Sequence, residues 1–482
     1  MRSWTRGARR TGLMATVAVV AVLSPSVVAT WRGSAPVVSA ACSLCAGGEY
    51  HPVTPVRIFD SRVPINDVAP LGVKPIGNRT TATFDIQLLG LGDPNFVNSY
   101  LPPWVTPGDV LGVMASIAVV GPTIPGFLTA VPSGQVPPTL SSVLNYPAGR
   151  TVANLTLARP GESGRLTIGL NGGGTGGRAH VIIDVHGWVS SSSYVGEDGR
   201  ESDDERGGRM IAIANTRLFD SGATAALTVG PASVTTVKIR GATRLGTTTP
   251  PVVPDAPEVV AAVVNLTASR PSLNTFIAAL PETPSGGIST SNLNIAAGET
   301  RAALAVVPVG ADGSIRVYNN VGTVRLIVDV LGYVVVRRDE TREGRLVPMS
   351  SPYRSFDTRG SQWGAAPLGP LQAERWSYAS FSASVNISGI SVGKIGSLFG
   401  NLTNASLGRQ VATSPTTSYL TVYPYVPGGT LPLASNLNTT SESSAVANAL
   451  FVPLGTDLQM VTYNRAGYAH YLFDVSAVVL AD

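Results

Sequence analysis

Cysteine is nearly absent from this chain. Its 482 residues hold two, Cys42 and Cys45. Thiol catalysis and a disulfide framework are therefore excluded beyond residue 45. The Cys42-x-x-Cys45 pair has only His51 nearby, too few ligands for zinc, and lacks the βαβ context of a thioredoxin-like site. A local or intermolecular disulfide formed after export is the remaining expectation. Histidine is almost as scarce, with His51, His180, His186 and His470 the full set. There is no H-E-x-x-H. Charged residues make up 13% of the chain and aromatics 6%. Lysine occurs only as Lys74, Lys238 and Lys394. No run of helical periodicity stands outside the first thirty residues.

The net charge of +4 gives no support to nucleic-acid binding. Arg2, Arg6, Arg9 and Arg10 precede the first acid, Glu49; without them the 34 basic residues fall to 30, against 30 acids. Those arginines form the basic region of a secretory signal. Leu13 to Leu23 is its apolar core, too short to span a membrane, and Val27-Val28-Ala29 offers a cleavage site, with Val38-Ser39-Ala40 as a second. The expected localisation is exported, extracellular or cell-surface, with no membrane span in the mature chain.

What the chain does have is a threefold repeat. Arg57-Ile58-Phe59-Asp60-Ser61-Arg62 returns as Arg217-Leu218-Phe219-Asp220-Ser221 and as Arg354-Ser355-Phe356-Asp357-Thr358-Arg359. Each copy opens a unit that closes on an apolar strand with one acid: Asp184, Asp329 or Asp474. Between them recur an apolar strand, a hairpin-like block and an element ending at Asn145, Asn294 or Asn438. Short apolar runs punctuated by glycine and proline predict an all-β chain, with three tandem β-sandwich-like domains after the signal peptide. The expected boundaries are 1–29 for the signal, 30–51 for a flexible lead-in, 52–189, 209–336 and 345–482 for the units, and 190–208 and 337–344 for charged linkers. The central strands are apolar without alternation, which predicts burial on both faces.

A lone carboxylate inside such a strand needs a partner. Arg57, Arg217 and Arg354 each stand three residues before Asp60, Asp220 and Asp357, so first and last strands are expected to pair, arginine from one meeting the closing aspartate of the other. These nine residues are read as framework. Calcium is the alternative, but no unit carries an acid-rich loop that would supply its oxygen ligands. In His180-x3-Asp184-x-His186 only the aspartate recurs in the other units. No catalytic residue, metal site or cofactor is expected. Trp188 and Tyr423 are candidate stacking residues for a sugar ring.

At these blocks the sequence resembles a family of tandem β-rich repeats in secreted and cell-surface proteins of actinobacteria. The matching residues are Arg57 to Arg62, Gly126-Phe127-Leu128-Thr129-Ala130-Val131-Pro132, Ser141 to Asn145, and Asp184-Val185-His186-Gly187-Trp188. Unit 3 departs at its end, with Ser476-Ala477 where glycine and an aromatic are expected. The resemblance implies an extracytoplasmic, non-catalytic role. The expected function is a structural or adhesive surface protein that associates with itself or with other surface proteins. The alternatives are a binder of cell-wall polysaccharide or other envelope polymer and, last, a secreted hydrolase.

Overall fold

The computed structural model describes residues 47–62, 76–77, 83–90, 100–137, 141–172, 177–194, 196, 207–223, 228–339, 341–360, 369–381, 386–387, 389–407, 417–440 and 445–482. The expected signal at 1–29, Cys42 and Cys45 lie outside them. Among the described residues no helix is long and apolar enough to cross a membrane.

The chain is all-β. Its first repeat holds β1 (Tyr50–Asp60), β2 (Ile76–Gly77), β3 (Thr83–Gln87), β4 (Val110–Val120), β5 (Gly126–Pro132), β6 (Leu144–Tyr146), β7 (Val152–Ala158), β8 (Arg165–Gly172) and β9 (Arg178–Ser190). The second holds β10 (Arg209–Asp220), β11 (Ser233–Lys238), β12 (Val259–Ser269), β13 (Thr275–Leu280), β14 (Leu293–Ile295), β15 (Thr300–Pro308), β16 (Ser314–Asn319) and β17 (Arg325–Val335). The third holds β18 (Leu346–Asp357), β19 (Arg375–Ser380), β20 (Asn386–Ile387), β21 (Ile390–Ser391), β22 (Ile395–Leu407), β23 (Thr417–Pro424), β24 (Leu437–Thr440), β25 (Val446–Pro453), β26 (Gln459–Asn464) and β27 (Ala469–Leu480).

Among the described residues these strands build six small antiparallel sheets of four strands in line, with β2 added beside β9, and β20 pairs with β21 as a separate two-stranded ribbon. Three have the orders β1-β9-β4-β7, β10-β17-β12-β15 and β18-β27-β22-β25; three have β3-β8-β5-β6, β11-β16-β13-β14 and β19-β26-β23-β24. Edge strands of different repeats lie side by side, β7 by β14, β15 by β24 and β25 by β6. The six sheets are thus set about a common centre like the blades of a six-bladed β-propeller. No blade is a simple meander, because the chain crosses repeatedly between two sheets of one repeat. Three separately standing β-sandwich-like domains are not what the chain forms: the described residues make one compact unit.

The physical reason lies in the doubly apolar strands. Along β12, Ala262, Val264 and Leu266 enter their own repeat's core, whereas Ala261 and Val263 enter a second cluster at the centre. Along β4, Val113, Ala115, Ile117 and Val119 face inward to their own core, and Leu111 and Met114 join the centre. Fully burying a large aliphatic side chain is worth about 1.5–3 kcal/mol, so both faces favour association of the repeats. The segment 337–344 is no free tether either. Arg209, fully buried, donates to the carbonyl oxygens of Asp339 (3.0 Å), Thr341 (2.5 Å) and Glu343 (3.2 Å), and pairs with Glu49 at 3.1 Å.

Two of the three seams between repeats are locked by buried amides. At the seam of repeats 1 and 3, Asn154 donates to Asn401 Oδ1 (2.9 Å) and accepts from the Ala449 amide (2.8 Å), while Asn401 donates to the Ser142 carbonyl (2.6 Å). At the seam of repeats 2 and 3, Asn448 donates to Asn265 Oδ1 (2.9 Å) and accepts from the Leu304 amide (2.9 Å), while Asn265 donates to the Ser435 carbonyl (2.6 Å). By strand register the matching positions at the seam of repeats 1 and 2 are Ser116 and Ala303.

Truncating Asn448 strands the Leu304 amide and removes two donations, and a buried group left unpaired costs about 1–3 kcal/mol. Asn448→Ala is expected to lower stability in urea unfolding by about 2–4 kcal/mol, with Ser116→Ala within about 0.5 kcal/mol of the parent. Equal small effects for both would show that the amide seams do not hold the repeats together.

Candidate functional site

The opening arginines and closing aspartates meet in every repeat. Arg57 Nε donates to Asp184 Oδ1 at 2.8 Å and Nη2 to Oδ2 at 3.1 Å. Arg217 reaches Asp329 at 2.8 and 3.3 Å, and Arg354 reaches Asp474 at 2.5 and 3.1 Å. A bulge skips Ile58, so that Arg57 opposes Asp184 and Phe59 opposes Ile183; the same shift recurs between Arg217 and Phe219 and between Arg354 and Phe356. Such a bulge re-aims the side chains around it. Each arginine also touches its own opening aspartate, at 3.5 Å for Asp60 and Asp220 and 2.7 Å for Asp357. The hydroxyls of Ser61, Ser221 and Thr358 accept the amides of Val181, Leu326 and Tyr471, each at 3.0 Å.

The opening aspartates take a second arginine, from two different places. Asp60 binds Arg62 and Asp357 binds Arg359, in the same segment. Repeat 2 has Gly222 there, and Arg325 from the closing strand replaces the missing cation, donating to Asp220 at 2.9 and 2.8 Å. Where Arg325 stands in repeat 2, repeats 1 and 3 carry His180 and His470, bonded to Ser61 and Thr358 at 3.1 Å.

Burial pushes both sets of carboxyls up, and the arginines oppose it. For Asp184, Asp329 and Asp474 burial wins and the pKa values are raised. For Asp60, Asp220 and Asp357 the hydrogen bonds and charge of the second arginine win, and the values lie below the ordinary carboxylate range.

His186 is buried, with its pKa lowered to about 4 by desolvation. His180, Asp184 and His186 form no metal centre, and among the described residues no group of three or more His, Cys, Asp or Glu could hold an ion. Gly389-Ile390-Ser391-Val392-Gly393 has the G-x-S-x-G spacing of a nucleophile elbow. Ser391, however, precedes a three-residue 3-10 turn, where the elbow needs a strand turning into an α-helix.

Trp188 and Tyr423 part company. Trp188 is 2% exposed and stacks on His51 at 4.0 Å, with Tyr194 edge-on at 5.3 Å. Beside it, Tyr50 donates to the His186 carbonyl at 2.8 Å, and a Cβ on Gly187 would lie 2.3 Å from the Tyr50 hydroxyl. Trp188 therefore serves the core and offers no face to a sugar, which corrects the sequence expectation. Tyr423 instead belongs to an aromatic sheet face in repeat 3.

That face spans three strands. On β19, Trp376 and Tyr378 alternate outward, 45% and 55% exposed. Register places Trp376 opposite Tyr463 on β26, and Thr421 of β23 on the other side of Tyr463; Tyr378 and Tyr423 flank Val461 in the same way. Trp376 packs on Tyr463 at 5.2 Å, Tyr378 meets Tyr425 edge-on at 5.8 Å, and Tyr419 lies 6.4 Å from Tyr463. Desolvation raises the Tyr423 phenol, and a hydrogen bond with Trp376 partly opposes this. Strand spacing makes the platform about 10 Å wide, and Tyr419 to Tyr423 spans about 14 Å. Among the described residues, the ring contact on the corresponding face of repeat 2 is Phe276 with Tyr318, 6.1 Å apart. In repeat 1 the corresponding face carries Asp85 bonded to Thr167. Tyr378 and Tyr463 escaped the sequence reading. Their only local signal is the alternation Trp376-Ser377-Tyr378.

No family model matches the chain, and no curated protein matches it. Among solved structures it is similar to the N-terminal tandem CBM22 domains of Xyn10C from Paenibacillus barcinonensis, at 9% identity over 59% of this chain and 98% of that one, with a TM-score of 0.15. It is similar to a triple jelly-roll structure from the turret assembly of an archaeal virus, at 10% identity over 89% and 90%, with a TM-score of 0.15. It is also similar to a chain of the lipid-containing bacteriophage PM2, at 8% identity over 76% and 98%, with a TM-score of 0.12. Such scores carry no argument about fold or function.

The depressed carboxyl of Asp220 has a consequence for pH. A group whose folded pKa is lowered contributes stability above its ordinary value near 4, and that contribution fades as the pH falls through the folded pKa. The stability gap between the parent and Asp220→Asn is therefore expected to be full at pH 6 and to shrink below about pH 4, read from urea midpoints at each pH. A gap constant down to pH 2 would contradict this ionic role.

Proposed function

We propose that the protein is an exported, non-catalytic surface module that adheres to a polysaccharide through the aromatic face of its third repeat. The observation that carries this reading is the outward pair Trp376 and Tyr378, backed by Tyr463 and flanked by Tyr419, Tyr423 and Tyr425. Aromatic rings present an apolar body with a polar tip, the combination suited to the C–H face and hydroxyls of a pyranose. A soluble surface seldom leaves large aromatics grouped in the open without a partner. The exposed rings lie along the β19 edge, with Tyr463 and Val461 buried behind them, an arrangement suited to the side of an extended polymer.

The repeats at 52–189, 209–336 and 345–482 then have unequal duties. All three supply the framework, and the third carries the ligand face. The secretory signal at 1–29 accounts for how the chain would meet an envelope polymer. The low charge and the near-neutral mature chain accord with a neutral glycan held by stacking.

The test is equilibrium binding of the purified protein to a panel of cell-wall polysaccharides. Saturable binding to at least one is expected, with Trp376→Ala and Tyr378→Ala each weakening it about tenfold, a loss of about 1.4 kcal/mol per ring. The double variant should abolish detectable binding without shifting the melting temperature by more than a few degrees, since both side chains are exposed. Unchanged binding in the double variant would refute the assignment of the site, and no binding to any polysaccharide would refute the function.

A further inference from the structure

The seam between repeats 1 and 2 differs from its two counterparts. Where the other seams place Asn401 or Asn265 against Asn154 or Asn448, this one has Ser116 and Ala303. Two cavities also lie between these repeats, away from Ser116 and Ala303, and the larger extends to Thr417, Asn438 and Val446 of repeat 3. One, of about 230 Å³, reaches from Arg57 and Asp184 to Ser289 and Ser291. The other, of about 820 Å³, lies where the turns before β7 and β15 approach the centre. Both are lined by Thr151, Phe276 and Asn294.

The larger cavity is polar and cationic. Arg150 from repeat 1 reaches Glu299 from repeat 2 at 2.9 Å. Arg301, two residues on, also lines the cavity, half-buried. It has no hydrogen bond or ion pair among the described residues, unlike every opening arginine of the framework. Asn274, Asn294, Asn320 and Asn438 complete the wall. Two guanidinium groups thus face one carboxylate, which leaves a net positive charge and one uncommitted fork of donors. Loss of water lowers the Arg301 pKa, with Glu299 opposing and Arg150 adding to the effect. A half-buried guanidinium without an ion-pair partner keeps its fork of donors available, and an incoming oxyanion would engage it with paired hydrogen bonds. The four amides can donate to and accept from the hydroxyls around such a group.

We propose that this seam is a binding site for an acidic saccharide, its carboxylate or phosphate held by Arg301 and its hydroxyls by the surrounding asparagines. The site is independent of the aromatic face of repeat 3. Arg150 is a secondary donor, restrained by Glu299.

The experiment is calorimetric titration of the purified protein with trigalacturonic acid and with glucose 1-phosphate, using galactotriose and glucose as neutral controls. The two acids separate a uronate from a sugar phosphate. At least one acid should bind, more weakly as salt rises, with the matching neutral sugar at least tenfold weaker. Arg301→Gln should weaken the acid about tenfold or more. Glu299→Gln should tighten it several-fold by freeing Arg150, and this variant decides the matter should Arg301→Gln fail to fold. Trp376→Ala, remote from the seam, should leave it unchanged. The proposal is overturned if neither acid binds at millimolar concentration, if the neutral sugars bind equally well, or if Arg301→Gln binds as the parent does. Failure of polymer binding at the aromatic face would leave these readouts untouched, so the two readings fall separately.

Discussion

Everything in this fold hangs on a carboxylate placed in the middle of an apolar strand. Asp184, Asp329 and Asp474 are almost fully buried, and a buried charge without a partner is not tolerated. The partner in each case is an arginine from the first strand of the same repeat, more than a hundred residues earlier. Meeting that demand brings first and last strands side by side and sets their register. It also requires the bulge that turns Arg57, Arg217 and Arg354 toward the aspartate. Losing one partner of such a pair costs about 3–5 kcal/mol, a large part of a typical folding free energy. The pairing therefore closes each repeat around its own core.

The demand is electrostatic, not a matter of identical sequence, and repeat 2 makes this plain. Repeats 1 and 3 supply the second cation for Asp60 and Asp357 from Arg62 and Arg359, two residues along the same segment. Repeat 2 has Gly222 at that place, and Arg325 reaches in from the opposite strand to the same two oxygens. From the sequence, Arg325, His180 and His470 occupy matching positions without any shared chemistry. In the structure, arginine there occurs with glycine in the opening segment, and histidine there occurs with arginine. The pattern is one of compensation around a fixed carboxylate.

Most of the strands could be read directly, because short apolar runs ended by glycine and proline have few alternatives. The doubly apolar strands also announced that both of their faces would be covered. What covers the second face could not be read. Ala261 and Val263 look the same in sequence whether they meet another repeat, another chain or a long loop, so six sheets sharing one centre were beyond a local reading. The aromatic face was hidden for a related reason. Tyr419, Tyr423 and Tyr425 cluster in sequence, but Trp376, Tyr378 and Tyr463 join them only through cross-strand register. Trp188 shows the opposite error. An aromatic at a strand end looks available until the strand beside it brings His51 onto its ring.

A threefold frame gives its own control for telling framework from specialisation. Features present in all three repeats, such as the arginine–aspartate pair and the hydroxyl that caps the closing strand, answer demands that every repeat shares. Features present once have to be explained singly. Two amides form each locked seam, and loss of only one would leave buried hydrogen-bonding groups without partners, at about 1–3 kcal/mol each. At the seam of repeats 1 and 2 both are absent together, with Ser116 and Ala303 in their places, and Arg150 in one turn faces Glu299 before β15, with Arg301 at the start of that strand. Ser116 and Ala303 are both buried and bring no side-chain amide, so at that point this seam is packed where the other two are bridged.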